Sequence, residues 1–304
     1  MVNKYGDIII HTWDYDSMSV EVTITAHGKK DEVLERQLDR VFVEISQVGK
    51  YVRMASVLDR KSGSLNEFFK SIGDQSKALL SKNKIEINWV VYMPAYTEVM
   101  IENKFGDIYI DAINGKAKLE MSHGKLRSDG FYGYSRLELS YADADIDYLK
   151  EAYLDLKVSE IDIAKADYIT ISGSSSEYYL KEVKSLKIDS RNDDINVNAL
   201  HSLSGSASFS NIKIESLRQS VDADLKYGEF ELQFVQKGFS KISLKTQSTD
   251  IELGVDETAG FIFDITAKED QLRIPPAIAE DSREYVDGKK KYINSRGKVG
   301  LYQS

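Results

Sequence analysis

Two interleaved series of apolar residues, each returning about every 17–18 residues, constrain this 304-residue chain more than any other feature. In the first, an acidic or polar residue is followed by an apolar–polar–apolar triplet. Examples are Asp107-Ile108-Tyr109-Ile110, Asp145-Ile146-Asp147-Tyr148, Glu160-Ile161-Asp162-Ile163 and Asp194-Ile195-Asn196-Val197. Its leading apolar positions are Ile108, Leu126, Ile146, Ile161, Tyr178, Ile195, Ile212, Phe230 and Ile251, spaced 18, 20, 15, 17, 17, 17, 18 and 21 residues apart. The second series runs Leu119, Leu137, Leu154, Ile169, Leu186, Leu203, Val221 and Ile242, spaced 18, 17, 15, 17, 17, 18 and 21. Period-two alternation marks strands with one buried face. A shared longer period marks coils in which each apolar residue sits above its counterpart one turn earlier. The pattern therefore predicts an all-β chain, a parallel β-solenoid (β-helix) of two-strand coils of about 17–18 residues. Leu119, Leu137, Leu154, Ile169, Leu186 and Leu203 are expected in one buried column. Ile146, Ile161, Tyr178, Ile195, Ile212 and Phe230 are expected in another. Of the three prolines, Pro94, Pro275 and Pro276, none interrupts the repeat, where every strand must pair on both edges.

Three parts follow from this reading: 1–100, the solenoid 101–270, and a tail or cap 271–304. The first part reads as a small α+β region, with strands over 5–11 and 19–25 around a Trp13-Asp14-Tyr15-Asp16 turn, and a short helix over 30–39. Strands over 41–46, 51–58 and 85–93 complete it. Ser64 with Glu67 makes a capping box ahead of Leu65, Phe68, Phe69 and Ile72 at helical spacing. That predicts an inserted amphipathic helix near 64–80, whose apolar face would close the end of the solenoid or else meet a partner or a membrane surface. Met1 leads almost directly into a strand with no signal peptide, which points to a longer natural N-terminus.

Composition excludes several classes. The formal net charge of −9 opposes nucleic-acid binding, which needs a basic stripe, and the one basic run, Lys289-Lys290-Lys291, reads as a solvated turn. With no cysteine there is neither a disulfide framework nor a thiolate metal site. No stretch approaches the length of a membrane span. His11, His27, His123 and His201 are scattered without metal-ligand spacing, and no nucleophile elbow, zinc-protease or phosphate-loop motif occurs. No cofactor is expected.

Asn3-Lys4-Tyr5-Gly6-Asp7-Ile8-Ile9-Ile10 is echoed by Asn103-Lys104-Phe105-Gly106-Asp107-Ile108-Tyr109-Ile110. This repeated strand start, with a strand–helix–strand block between its copies, resembles the bacterial adhesin family designated DUF4097. The strand over 85–94, running on into Ala95-Tyr96-Thr97-Glu98-Val99, looks like that family's passage into its coils. The resemblance implies an exported, Bacteroidetes-like protein of the cell envelope, in the periplasm or on the surface. It carries no catalytic residues, and its partners would be a glycan or another envelope protein. The helix near 64–80 is longer than the family's pattern requires. A further closing strand is also expected after Gly297-Lys298-Val299-Gly300, where this chain stops at Ser304.

Two candidate sites come from the residues themselves. By register, Lys118, Arg136, Tyr153, Tyr168, Ser185 and Ser202 form one outward column, so Tyr153 and Tyr168 should stack one coil apart. An aromatic ladder that stabilises the sheet accounts for such a pair most simply; a flat platform for sugar rings or a partner is the functional alternative. The second candidate is a carboxylate patch of Asp145, Asp147, Glu160 and Asp162 on neighbouring coils. Calcium needs six to eight oxygens at about 2.3–2.6 Å, and outward strand carboxylates seldom converge so closely. The run from Asp143 also fails as an EF-hand, with Tyr148 where glycine is needed and Leu154 where glutamate is needed. Solvated acids balanced by Lys150, Lys157 and Lys165 are the simpler account. A carbohydrate-active enzyme, a lyase or hydrolase on a β-helix, is the alternative to a binding scaffold, and a self-assembling scaffold is the third. The short coil-to-coil loops leave no wall for a substrate cleft, which favours the scaffold over the enzyme. The residues do not set the oligomeric state.

Overall fold

The computed structural model describes residues 1–58, 84–275, 278, 280–286 and 291–300. It is a parallel β-solenoid of about nine turns with coils roughly 18 residues apart. The expected helix near 64–80 and the run Lys289-Lys290 lie outside the described residues.

Each central coil is one long bent strand. Asp143–Lys157, Glu160–Ser174, Glu177–Arg191 and Asp194–Ser208 each span 15 residues, separated only by two-residue corners. Each strand pairs in parallel with the next along nearly its whole length. Alternate residues point inward, so Ile161, Ile163, Ile169 and Ile171 are all buried, and they meet the same positions of the coils above and below. The inner sides form one continuous apolar core.

The pairing corrects the sequence register at one coil. Leu126 lies opposite Ala144, and Ala144 opposite Ile161. Alanine, not Ile146, is therefore the counterpart of Ile108, and the intervals of 20 and 15 become 18 and 17. The apolar strength of Ile146 drew the reading two residues along the same buried face. The same slip splits the column expected from Leu119 to Leu203. Leu137 and Leu154 stack on Ile171, whereas Ile169 stacks on Ala152 and continues into Leu186 and Leu203. Every residue named in both expected columns is nonetheless buried.

The coils have three inner sides, not two. A third column of Ile113, Phe131, Leu149, Ala166, Val183, Leu200, Leu217 and Val235 is completely buried. It falls between the other two, one residue per coil, and a single apolar position without alternation around it is invisible to a strand pattern.

The first hundred residues are woven into the solenoid. Ile8–Trp13 lies between Lys84–Pro94 and Ile108–Ile110, parallel to both. Val2–Lys4 likewise pairs with Val99–Lys104 on one side and, through Val2, with Ala55 on the other. The echo between residues 3–10 and 103–110 thus joins two neighbouring coils stacked in register. Beyond them, Ser19–His27 pairs antiparallel with Lys84–Pro94, and Val41–Val48 antiparallel with Tyr51–Leu58, which covers the parallel edges at this end. The helix Asp31–Leu38 buries no residue, and Leu38 faces solvent. At the other end the last coil is Lys241–Val255. Phe261–Lys268, Glu280–Tyr285 and Tyr292–Val299 form a separate three-stranded antiparallel sheet with Tyr292–Val299 at its centre. The terminal part therefore begins near Phe261, ahead of the expected boundary at 271.

Candidate binding face

Each coil turns through a corner whose first residue is left-handed. Tyr5, Phe105, His123, Tyr141, Val158, Ser175, Asn192, Phe209, Tyr227 and Ser248 all have φ between 50° and 65°. Such a conformation costs about 1–2 kcal/mol in a residue with a Cβ. Stacking offsets part of this cost. The rings of Tyr5 and Phe105, Phe105 and His123, and His123 and Tyr141 lie 5.4, 4.9 and 5.3 Å apart and within 11° of parallel. Phe209 and Tyr227 repeat the arrangement at 4.9 Å. Within each stack the rings cover one another's faces, while the end rings Tyr141 and Phe209 remain largely exposed. The corner is a structural seam. Its sequence signal, an aromatic then a small residue then an acid, stands at Tyr5-Gly6-Asp7, Phe105-Gly106-Asp107, Tyr141-Ala142-Asp143 and Tyr227-Gly228-Glu229 and is lost at the corners between.

The second corner residue points inward and must be small. A Cβ on Gly106 would overlap the Gly6 carbonyl oxygen. Where this residue carries a side chain, it caps the corner of the preceding coil. Ser159 Oγ accepts from Ala142 N at 3.2 Å, Ser176 Oγ from Ser159 N at 3.2 Å, Asp193 Oδ1 from Ser176 N at 2.8 Å and Ser210 Oγ from Asp193 N at 3.1 Å. After Gly6 and Gly106 the next residue instead caps the corner of the following coil. Asp7 Oδ1 accepts from Asp107 N, and Asp107 Oδ1 from Lys125 N, both at 2.8 Å. These bonds satisfy amides that the ladder leaves over at a bend. They also give the repeated Gly-Asp a structural purpose.

On the outer side of the second strand series, Tyr153 and Tyr168 are not one coil apart in a single column. Tyr153 lies beside Arg136 and Thr170, and Tyr168 beside Glu151 and Ser185. The slip has the same cause as above, since 15 residues separate the two tyrosines and the coil here is 17. The true column is Tyr134, Glu151, Tyr168. Two exposed tyrosines therefore stand two coils apart, roughly 9–10 Å, with a carboxylate between them. Tyr153 lies next to Glu151 on the same strand, diagonally beside both. The Arg136 guanidinium covers its ring at 4.6 Å and also reaches Glu138 at 2.6 Å. Tyr168 is 60% exposed, and among the described residues no other ring stacks on it. Beside it, Asp167 accepts from Lys184 at 2.9 Å and from Tyr148 at 3.1 Å, and the Lys184 ammonium holds its carboxyl below the ordinary carboxylate range.

The carboxylates are distributed differently from the expected foursome. Asp145 and Asp162 face each other on adjacent coils, whereas Glu160 lies in the next column between Asp143 and Glu177. Asp147 stands two residues further along, outside both pairs. Lys165 turns to Glu182 at 3.6 Å. Among the described residues no group of three or more histidines and carboxylates is placed to hold a metal ion. None of the described helices is long and apolar enough to cross a membrane. No family model, curated protein or solved structure matches this chain.

Proposed function

We propose that the chain is a non-enzymatic, adhesin-like binding scaffold of a bacterial cell envelope that takes a glycan on the face formed by Tyr134, Glu151, Tyr153 and Tyr168. The observation that carries this reading is the pair of exposed tyrosines on either side of Glu151. Aromatic faces receive the apolar faces of sugar rings, while a carboxylate and a guanidinium accept and donate to hydroxyls. A rigid sheet holds these groups with little entropy left to lose on binding. The envelope location rests on the resemblance carried by residues 3–10 and 103–110. The non-enzymatic character is supported by the shape of the face: flat strands and two-residue corners supply no walls around the carboxylates, and acid–base hydrolysis needs a cleft that positions substrate and water.

The test is a glycan array run beside a turnover screen on acidic and neutral polysaccharides. The expected result is binding without cleavage, weakened about tenfold by Tyr168→Ala and by Tyr134→Ala, which corresponds to about 1.4 kcal/mol each. Cleavage that disappears on changing a single acidic residue would establish an enzyme instead. Binding unaffected by both tyrosine changes would show this face to be structural.

A further inference from the structure

The two ends of the solenoid differ. At the N-terminal end the parallel edges are covered by the antiparallel strands Ser19–His27 and Val41–Val48. The last coil, Lys241–Val255, pairs on one edge with Asn211–Val235, and among the described residues no strand pairs with its other edge. The inward positions of this coil are uncovered as well. Ile251 and Leu253 are each 42% exposed, although Phe230 and Leu232, their counterparts one coil earlier, are fully buried. Ile242 and Leu244 are only half-buried, against Val221 and Ala223, which are buried. An open strand of this length above an open core is a template for another strand.

The sequence of that strand shows which one. Lys241-Ile242-Ser243-Leu244-Lys245-Thr246-Gln247 forms one arm and Ser248-Thr249-Asp250-Ile251-Glu252-Leu253-Gly254 the other, bent at the left-handed Ser248. The first arm is basic and the second acidic. Reversed and laid against itself about a point between Gln247 and Ser248, the strand sets Ile242 opposite Leu253 and Leu244 opposite Ile251. The same register sets Lys245 opposite Asp250. Directly opposed residues in an antiparallel pair share a face, so apolar meets apolar inside and charge meets opposite charge outside. A shift of two residues either way sets one of the apolar residues against a threonine.

The geometry points to a second copy of this chain as the occupant: two solenoids join end to end through their Lys241–Val255 strands, related by a two-fold axis at the corner between Gln247 and Ser248. This interface uses the same strand from both subunits and is therefore closed. Head-to-tail growth would have to continue the parallel stack at the other end, where the outermost described strands, Ser19–His27 and Val41–Val48, run antiparallel to the strands they cover.

The dimer is measured by sedimentation of the full chain across a concentration series, with far-UV circular dichroism and the melting midpoint as controls of folding. A monomer–dimer equilibrium is expected. Lys245→Glu alone and Asp250→Lys alone should each weaken association at least about tenfold, and the two together should restore it by exchanging the charges. Since the chain has no cysteine, Gln247→Cys supplies a single thiol beside the axis and should give a covalent dimer on mild oxidation. Ser206→Cys, on the outer face two coils earlier, should not. A chain that stays monomeric at all concentrations overturns the inference. So does a dimer indifferent to both charge reversals, association that continues into filaments, or cross-linking equal at the two thiols.

Discussion

Asp193 is the residue at which this structure departs furthest from its own repeat. Ser159, Ser176 and Ser210 fill the inward corner position in neighbouring coils, and Asp193 stands among them almost wholly buried. Its carboxyl accepts from Ser176 N and Ser190 Oγ, each at 2.8 Å, and from Arg191 N at 3.3 Å. Removal from water pushes its pKa above the ordinary carboxylate range, and these hydrogen bonds offset only part of that effect. Nearby, Tyr178 is fully buried with a hydroxyl that finds no partner among the described residues, and a Cβ on Gly173 would run into it. The sign of the pH effect follows from the raised value. The folded state favours the neutral acid, so this contribution to stability is complete below the unfolded carboxyl's pKa and is lost as pH rises through the folded one. Asp193→Ser, which installs the residue used by the adjacent coils, removes that dependence. Thermal melts between about pH 4 and 7 should show the wild type losing midpoint relative to the variant as pH rises. Parallel curves over that range would refute the assignment.

At the scale of the element, the unit of stability is the stacked coil rather than the strand. Leu154 has Leu137 on one side and Ile171 on the other, and all three are fully buried. Leu154→Ala should cost about 2–5 kcal/mol, because neighbours held by two parallel ladders cannot collapse into the space. Ile251 has Phe230 above it and solvent below. Ile251→Ala, measured at dilution, should cost well under that range by urea denaturation. Equal losses at the two sites would mean that the last coil is covered in solution. Coils were legible in the sequence because strand alternation and coil period reinforce each other in the central turns, where the spacing holds at 17. The register slipped at Ala144, where the residue on the expected position is small and a larger apolar neighbour lies two along. The third buried side, at Leu149 and Val183, was missed because one inward residue per coil makes no local pattern.

At the scale of the molecule, a stack whose period is constant should tolerate loss of a whole period. Ile161 pairs with Tyr178, and Ser174 with Arg191, so removing residues 161–177 brings Glu160 onto Tyr178 with every inward and outward position preserved. That variant should fold to a shorter solenoid with a parallel-sheet spectrum and a cooperative melt. Removal of 161–176 should not, because a one-residue slip turns each buried side chain of the downstream coils toward solvent. If both deletions behave alike, the register is not what holds the stack together. The N-terminal residues follow the same rule by a less direct route, since Val2–Trp13 enters the stack ahead of Val99–Ile110 only after residues 51–58 and 84–94 have supplied a coil beneath it.

The sequence by itself determined the class of fold and the pitch of the coil, because burial on a repeating strand must recur at the repeat. It also marked Tyr153, Tyr168 and the acidic outer positions as surface residues. Only the tertiary structure decided which of these are neighbours. A slip of two residues keeps a side chain on its face but moves it to another column, and it separates Tyr153 from Tyr168 while bringing Tyr134 and Glu151 into the group. The left-handed corner with its stacked rings, the buried Asp193 and the open strand at the last coil were likewise beyond local reading. Each depends on what lies one coil away, and alternation within a strand says nothing of the coil above it.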